Sequence, residues 1–272
     1  MAKRWSFEED YVVGKFCLKY KGLEICGLLL DELMEELHQN GFASRTEVAV
    51  SRRARDFTYL FRGWDSPYAV KQVRNIYKIF NYEGYENHLK NLQIFINQRQ
   101  LKAGDIYISE FSINTLNDLT HMVHKPKGRK FIDVLEDYIQ NSGINPKSRI
   151  YRDVGMKQET YSAIRRGKYN SISRENLYRL CFGLRLSYDQ AINLMGSCGC
   201  ILRGDSVLDA VVEYYLRQGP TVDSVNRVKQ ENGGNKTKEV ICYIYDTDQI
   251  DADLIESKAP ILFWTKSEDD EE

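Results

Sequence analysis

Three capping signals, each followed by apolar residues at helical spacing, commit most of this 272-residue chain to α-helix. In Ser6-Phe7-Glu8-Glu9 the serine is placed to accept a backbone N–H of the first turn while Glu9 reaches back to the serine's own N–H. Tyr11, Val13, Phe16, Cys17 and Tyr20 then recur every three or four residues, which predicts a helix from about Phe7 to Tyr20 with one apolar face. Ser44-Arg45-Thr46-Glu47 repeats the signal ahead of Val50, Ala54, Phe57 and Phe61, and Ser187-Tyr188-Asp189-Gln190 repeats it ahead of Ala191, Leu194 and Met195.

Between these signals the same period holds. Leu29, Leu30, Leu33, Met34 and Leu37 predict a helix ending at Asn40-Gly41, residues that tolerate a left-handed terminus. Ser66-Pro67 reads as the first turn of a stretch through Val70, Val73, Ile76 and Tyr77, and a weaker helix is expected over about Tyr85 to Ile96. From about Asn97 to His124 the period fails, with a short strand expected at Ile106-Tyr107-Ile108. It returns with Phe131, Val134, Leu135, Tyr138 and Ile139, then in short helices around Ile150, over Met156 to Arg166 and over Leu177 to Leu184, and finally with Val207, Leu208, Val211, Val212 and Tyr215. After Gly219-Pro220 a strand at Val240–Tyr245 and an acidic tail are expected.

The expected architecture is therefore mainly α. Residues 1–64 form a three-helix unit with Trp5 in its core, 65–127 a helical extension and linker, 128–219 a domain of five or six helices, and 220–272 a C-terminal region with its strand and tail. No apolar run approaches the roughly 18 residues of a membrane helix, and Met1 to Trp5 leads straight into acidic residues. A cytoplasmic protein with no membrane partner is expected. The six cysteines are scattered, two of them inside helical apolar patterns, as suits reduced thiols acting as small hydrophobes.

The formal net charge of −1 conceals opposite local excesses. Lys125 to Arg185 carries fourteen Lys/Arg against six Asp/Glu, a net +8, whereas Asp246 to Glu272 carries ten acidic residues against two lysines, a net −8. A basic excess on a compact helical unit suits phosphate binding, in which released counterions make affinity salt-dependent. The tail could then compete with nucleic acid for the basic face.

The run from Ile150 through Gly155, Gln158 and Tyr161 to Gly167-Lys168, followed by Leu177 to Leu186, resembles the helix-turn-helix of lambda-repressor-like (Cro-type) proteins. The resemblance spans about Phe131 to Gly199 and implies a scaffold helix, a glycine turn, a recognition helix over 156–166 and a closing helix. It turns Tyr161 and Ile164 inward, sets Gln158, Glu159 and Ser162 toward the major groove, and brings Lys157, Arg165, Arg166 and Lys168 near phosphates. Gln158 would read adenine through paired hydrogen bonds. Lys157 departs from the family at a position where a capping serine is common, and Glu159 would put a carboxylate among phosphates unless it accepts from a cytosine amino group.

Trp5-Ser6-Phe7-Glu8-Glu9-Asp10, with the arginine-rich Arg45 to Arg55, looks like a Myb/SANT-type module. That likeness places Ser51, Arg52 and Arg55 toward DNA with Arg53 at the edge; the alternative is a solvated charged face. Trp64 stands beyond the third helix, away from the family's usual position.

Chemistry-bearing patterns are sparse. Cys198-Gly199-Cys200 lacks a second ligand pair, His121 and His124 flank only Met122 and Val123, and no P-loop, dinucleotide glycine pattern, HExxH or nucleophile elbow occurs. No catalytic residue, metal or cofactor is expected. The leading expectation is a sequence-specific transcriptional regulator binding double-stranded DNA, with the helix over Val207 to Leu216 supporting a homodimer. The alternative is a non-enzymatic adaptor with a protein partner, or the regulatory component of a phage-related or defence system.

Overall fold

The computed structural model describes residues 4–21, 23–108, 130–168, 172–229 and 237–264. His121 and His124, and most of the expected linker, lie outside the described residues. The described residues form twelve helices and one two-stranded sheet, so the chain is mainly α. It divides into two compact units, residues 1–90 with 264–272, and residues 91–263.

The first unit contains four helices rather than three: α1 (Phe7–Lys19), α2 (Leu28–Gln39), α3 (Glu47–Phe61) and α4 (Lys71–Phe80). The capping box of α1 forms as expected, Ser6 accepting from the Glu9 amide and Glu9 accepting from the Ser6 amide. Thr46, not Ser44, caps α3 by accepting from the Ala49 amide at 3.3 Å, because Ser44 stands two residues before the N-cap position. Ser66-Pro67 does not open α4 either. Ser66 is buried and donates to Asp56 at 2.9 Å, and the helix begins only at Lys71, after Val70. Val73, Ile76, Ile79 and Phe80 of α4 then fill the core beside Val13, Phe16, Leu33, Val50 and Phe57. α1 and α3 approach closely at Gly14, where a β-carbon would stand 2.8 Å from the Phe57 ring.

A long helix, α5 (Tyr85–Ile108), begins in the first unit and continues in the second. It absorbs Ile106, Tyr107 and Ile108, so the expected strand is helical. The second unit continues with α6 (Phe131–Asn141), α7 (Arg149–Arg152), α8 (Gln158–Arg165), α9 (Arg174–Gly183), α10 (Tyr188–Ser197) and α11 (Val207–Gln218). Strands β1 (Thr221–Lys229) and β2 (Thr237–Ile244) then pair antiparallel, and α12 (Thr247–Glu256) closes the unit. β1 escaped sequence reading because an irregularity between Val222 and Ser224 breaks the alternation of a half-buried strand.

Two expectations about this unit fail. α11 is internal: Ala210, Val211, Val212 and Leu216 are buried, so it is no exposed dimerisation face. The acidic tail is not a tail through residue 264. Asp246 caps α12, whose Ile250 and Leu254 enter the core, and Leu262 and Phe263 are buried with them. Asp251, itself fully buried, accepts from the Leu262 amide at 2.7 Å and the Phe263 amide at 3.1 Å, and so fixes the return of the chain. An acidic composition masked a segment that is structurally interior, and a competing-tail role for Asp251 or Asp253 is ruled out by their burial.

The returning chain meets the turn between α7 and α8. The Met156 amide reaches back to the Tyr151 carbonyl at 2.9 Å while Gly155 takes φ +63°, the left-handed terminus that glycine accommodates. A β-carbon there would lie 2.2 Å from the Phe263 carbonyl oxygen. Gly167, which ends α8 at φ +64°, has its nearest neighbour 3.7 Å away and carries backbone strain alone. Gly155→Ala is therefore expected to destabilise the second unit by at least ~2 kcal/mol and Gly167→Ala by about 1 kcal/mol, both read from urea unfolding. Equal losses at the two positions would contradict this packing.

Candidate nucleic-acid interface

The short helix α8 is held from behind and bare in front. Tyr161 and Ile164 are buried, and Tyr161 lies against Tyr151 of α7 with ring centroids 5.1 Å apart. Lys157, Gln158 and Glu159 at its start, and Arg166 and Lys168 at its end, are exposed; Ser162 between them is half-buried. This follows from periodicity: with 161 and 164 inward, 158, 159, 162 and 166 fall on the opposite side. Lys157 occupies the N-cap without bonding the first turn through its side chain, so its ammonium extends from a helix end already carrying partial positive charge.

Arg165 departs from its expected role. Its guanidinium grips Glu136 of α6 through two bonds, Nε to Oε1 at 2.6 Å and Nη2 to Oε2 at 2.7 Å, with the Tyr161 ring 5.7 Å away. A paired fork of this kind fixes α8 against α6 and takes Arg165 away from a phosphate. Arg166 stays outward, its Nε donating to the Ser162 carbonyl at 3.1 Å. The cationic character of this face therefore rests on Lys157, Arg166 and Lys168.

In the first unit the arginines of α3 divide in the same way. Arg52 and Arg55 are exposed and Ser51 is half-buried. Arg45 and Arg53, expected on the surface, are drawn inward: Arg45 is 8% exposed and binds Glu9 at 2.8 and 2.6 Å, and Arg53 stands 3.0 Å from Asp10. Trp5 lies beneath both guanidiniums, 4.5 Å from that of Arg45 and 5.1 Å from that of Arg53. Its expected place inside the hydrophobic core is corrected to a half-buried floor for two cations, because the indole face attracts positive charge.

Comparison of the chain with protein-family models, curated proteins and solved structures gives no match. No described helix is long and apolar enough to cross a membrane, and among the described residues no cluster of His, Cys, Asp and Glu is arranged to hold a metal. Of the cysteines with described side chains, Cys17 and Cys181 are buried and Cys26 and Cys198 exposed. The site residues that sequence reading missed are partners rather than ligands: Glu136, which secures α8, and the carboxylates of α1, which take up Arg53 of α3 and Arg45 just before it. Their pairing separations, 29 residues for Glu136–Arg165 and 36 for Glu9–Arg45, lie outside any local pattern.

Asp10 makes its own pairing with Arg53 pH-sensitive. Its Oδ2 accepts from Gln72 at 2.8 Å, but its Oδ1 faces Arg53 without a hydrogen bond. Burial outweighs the attraction of Arg53 and pushes the carboxyl up to about 7. Between about pH 4 and 7 the folded protein thus keeps a proton that the unfolded chain has released, so this group lowers stability as pH rises, by up to about 4 kcal/mol. Asp10→Asn, which cannot ionise, should gain on the wild type in Tm between pH 4 and pH 8. A difference independent of pH would refute the assignment.

Proposed function

We propose that this protein is a cytoplasmic, non-enzymatic, sequence-specific DNA-binding regulator that reads the major groove of a duplex with α8. The observation that carries this reading is the division of α8 itself, core-bound through Tyr161 and Ile164 and open along Lys157, Gln158, Glu159, Arg166 and Lys168. An eight-residue helix is about 12 Å long, close to the width of the major groove, so its outward residues could reach base edges without distorting the duplex. Gln158 offers an amide donor and acceptor for adenine, and the order α6 to α10 supports the repressor-like comparison made from sequence. Arg166 and Lys168 supply attraction that is independent of sequence.

A second reading, a protein-binding adaptor, draws support from Glu159, an exposed carboxylate on the same face, and from the loss of Arg165 to Glu136. Salt dependence distinguishes the two. For a duplex reader, log affinity falls with log salt at a slope of several units, and Arg166→Ala reduces that slope by about 0.9. Gln158→Ala should leave the slope unchanged and cost roughly 5- to 150-fold on the preferred sequence. Duplexes selected from a random pool provide the substrate, and a protein that enriches no sequence and shows no salt slope is not a DNA reader.

A further inference from the structure

The first unit carries an exposed surface that neither the α8 reading nor its own ion pairs account for. Arg52, Arg55 and Tyr59 follow one another at three- and four-residue spacing along the outer side of α3, so they form a single stripe. Where α3 ends, the Trp64 amide donates to the Tyr59 carbonyl at 2.9 Å, which folds the chain back and sets the indole beside the phenol, ring centroids 5.6 Å apart. The Arg62 guanidinium stands 5.2 Å from the same indole. Trp64 remains 55% exposed, an unusual state for the largest apolar side chain in a unit that has a well-filled core.

Leu60, next in sequence to Tyr59, lines a hollow with Lys71, Arg74, Asn75, Tyr77 and Lys78 of α4. α3 thus presents Tyr59 to the aromatic step and Leu60 to the cationic hollow. Residues 45 to 78 contain eight Lys/Arg and three Asp/Glu. Glu9, Asp10 and Asp65 take up Arg45, Arg53 and Arg74, whereas no carboxylate among the described residues pairs with Arg52, Arg55, Lys71 or Lys78. These four side chains leave unneutralised positive charge on α3 and α4, the two helices between which Trp64 lies in the chain.

We propose that this surface of the first unit binds single-stranded nucleic acid, the bases stacking on Trp64 and Tyr59 while the phosphates follow Arg52 and Arg55 on one side and Lys71 and Lys78 on the other. Charge complementarity selects a polyanion, and the exposed rings select among polyanions. A duplex keeps its bases stacked on one another and offers their edges but not their faces, and an acidic peptide supplies carboxylates with nothing to cover the indole. An unpaired strand presents both a charged backbone and free π-faces, and stacking on aromatic side chains is the sequence-tolerant component of such binding.

The test uses the full chain and three probes: a short labelled oligothymidylate, a duplex of the same length and random sequence, and polyglutamate. Fluorescence anisotropy should give tighter binding of the oligothymidylate than of polyglutamate, and substitutions at Trp64 should leave binding of the duplex, which the α8 reading assigns to the second unit, unchanged. Trp64→Ala should weaken it roughly tenfold or more, and Trp64→Leu, which keeps apolar contact with Tyr59 but has no aromatic face, should do the same. The double variant Lys71→Ala/Lys78→Ala should reduce the salt slope by about 1.4, the share of two single-strand phosphates. Circular dichroism establishes that each variant is folded. Wild-type affinity for the oligothymidylate in a folded Trp64→Leu protein, equal binding of polyglutamate, or an equal loss of duplex binding in that variant would each overturn the proposal.

Discussion

Among the described residues six carboxylates are buried, and what each unit can expose is set by how they are matched: Glu9 and Asp10 in the first, Asp209, Glu213, Asp251 and Asp253 in the second. A buried carboxylate is tolerable only where donors replace its water, and each here has drawn donors from distant sequence. Asp209 receives the Tyr178 hydroxyl at 2.8 Å, the Arg203 amide at 2.6 Å, the Ser206 hydroxyl at 3.1 Å and the Arg174 guanidinium. Glu213 is clasped by Arg99 and Arg217, and Asp253 accepts from Tyr215 at 2.5 Å. Through these contacts the carboxylates tie α5, α9, α11 and α12 into one body, and they decide which cations remain for solvent or a ligand.

That sorting of cations changes how local charge should be read. The basic excess around α8 and along α3 is real in composition, yet Arg165, Arg174, Arg45 and Arg53 are committed to internal partners. The cations left outside are fewer and more sharply placed: Arg166 and Lys168 on one unit, Arg52, Arg55, Lys71 and Lys78 on the other. A net charge counts both populations alike; the fold separates them.

The parts of the fold legible in the sequence were those governed by neighbours a turn apart. The capping boxes at Ser6 and Ser187, the buried stripe Val50–Ala54–Phe57–Phe61 and the inward pair Tyr161 and Ile164 are all local consequences of a 3.6-residue period. What was missed depends on residues far away along the chain. Arg45 looks like a surface arginine until Glu9 is brought beside it, and residues 247–263 look like solvated tail until Asp251 turns Leu262 and Phe263 into the interior. The outward side of α8 was legible for the reason its inward side was; the diversion of Arg165 to Glu136 was not, since nothing local signals a partner on α6.

The contact between Gly155 and Phe263 bears on how the molecule is made. The turn between α7 and α8 is sealed by the Phe263 carbonyl, so its packing is completed only once the chain has been made through that residue. Until then Leu262 and Phe263 cannot join the core, and a chain cut before Leu262 would leave Phe182 without the ring that meets it edge-on.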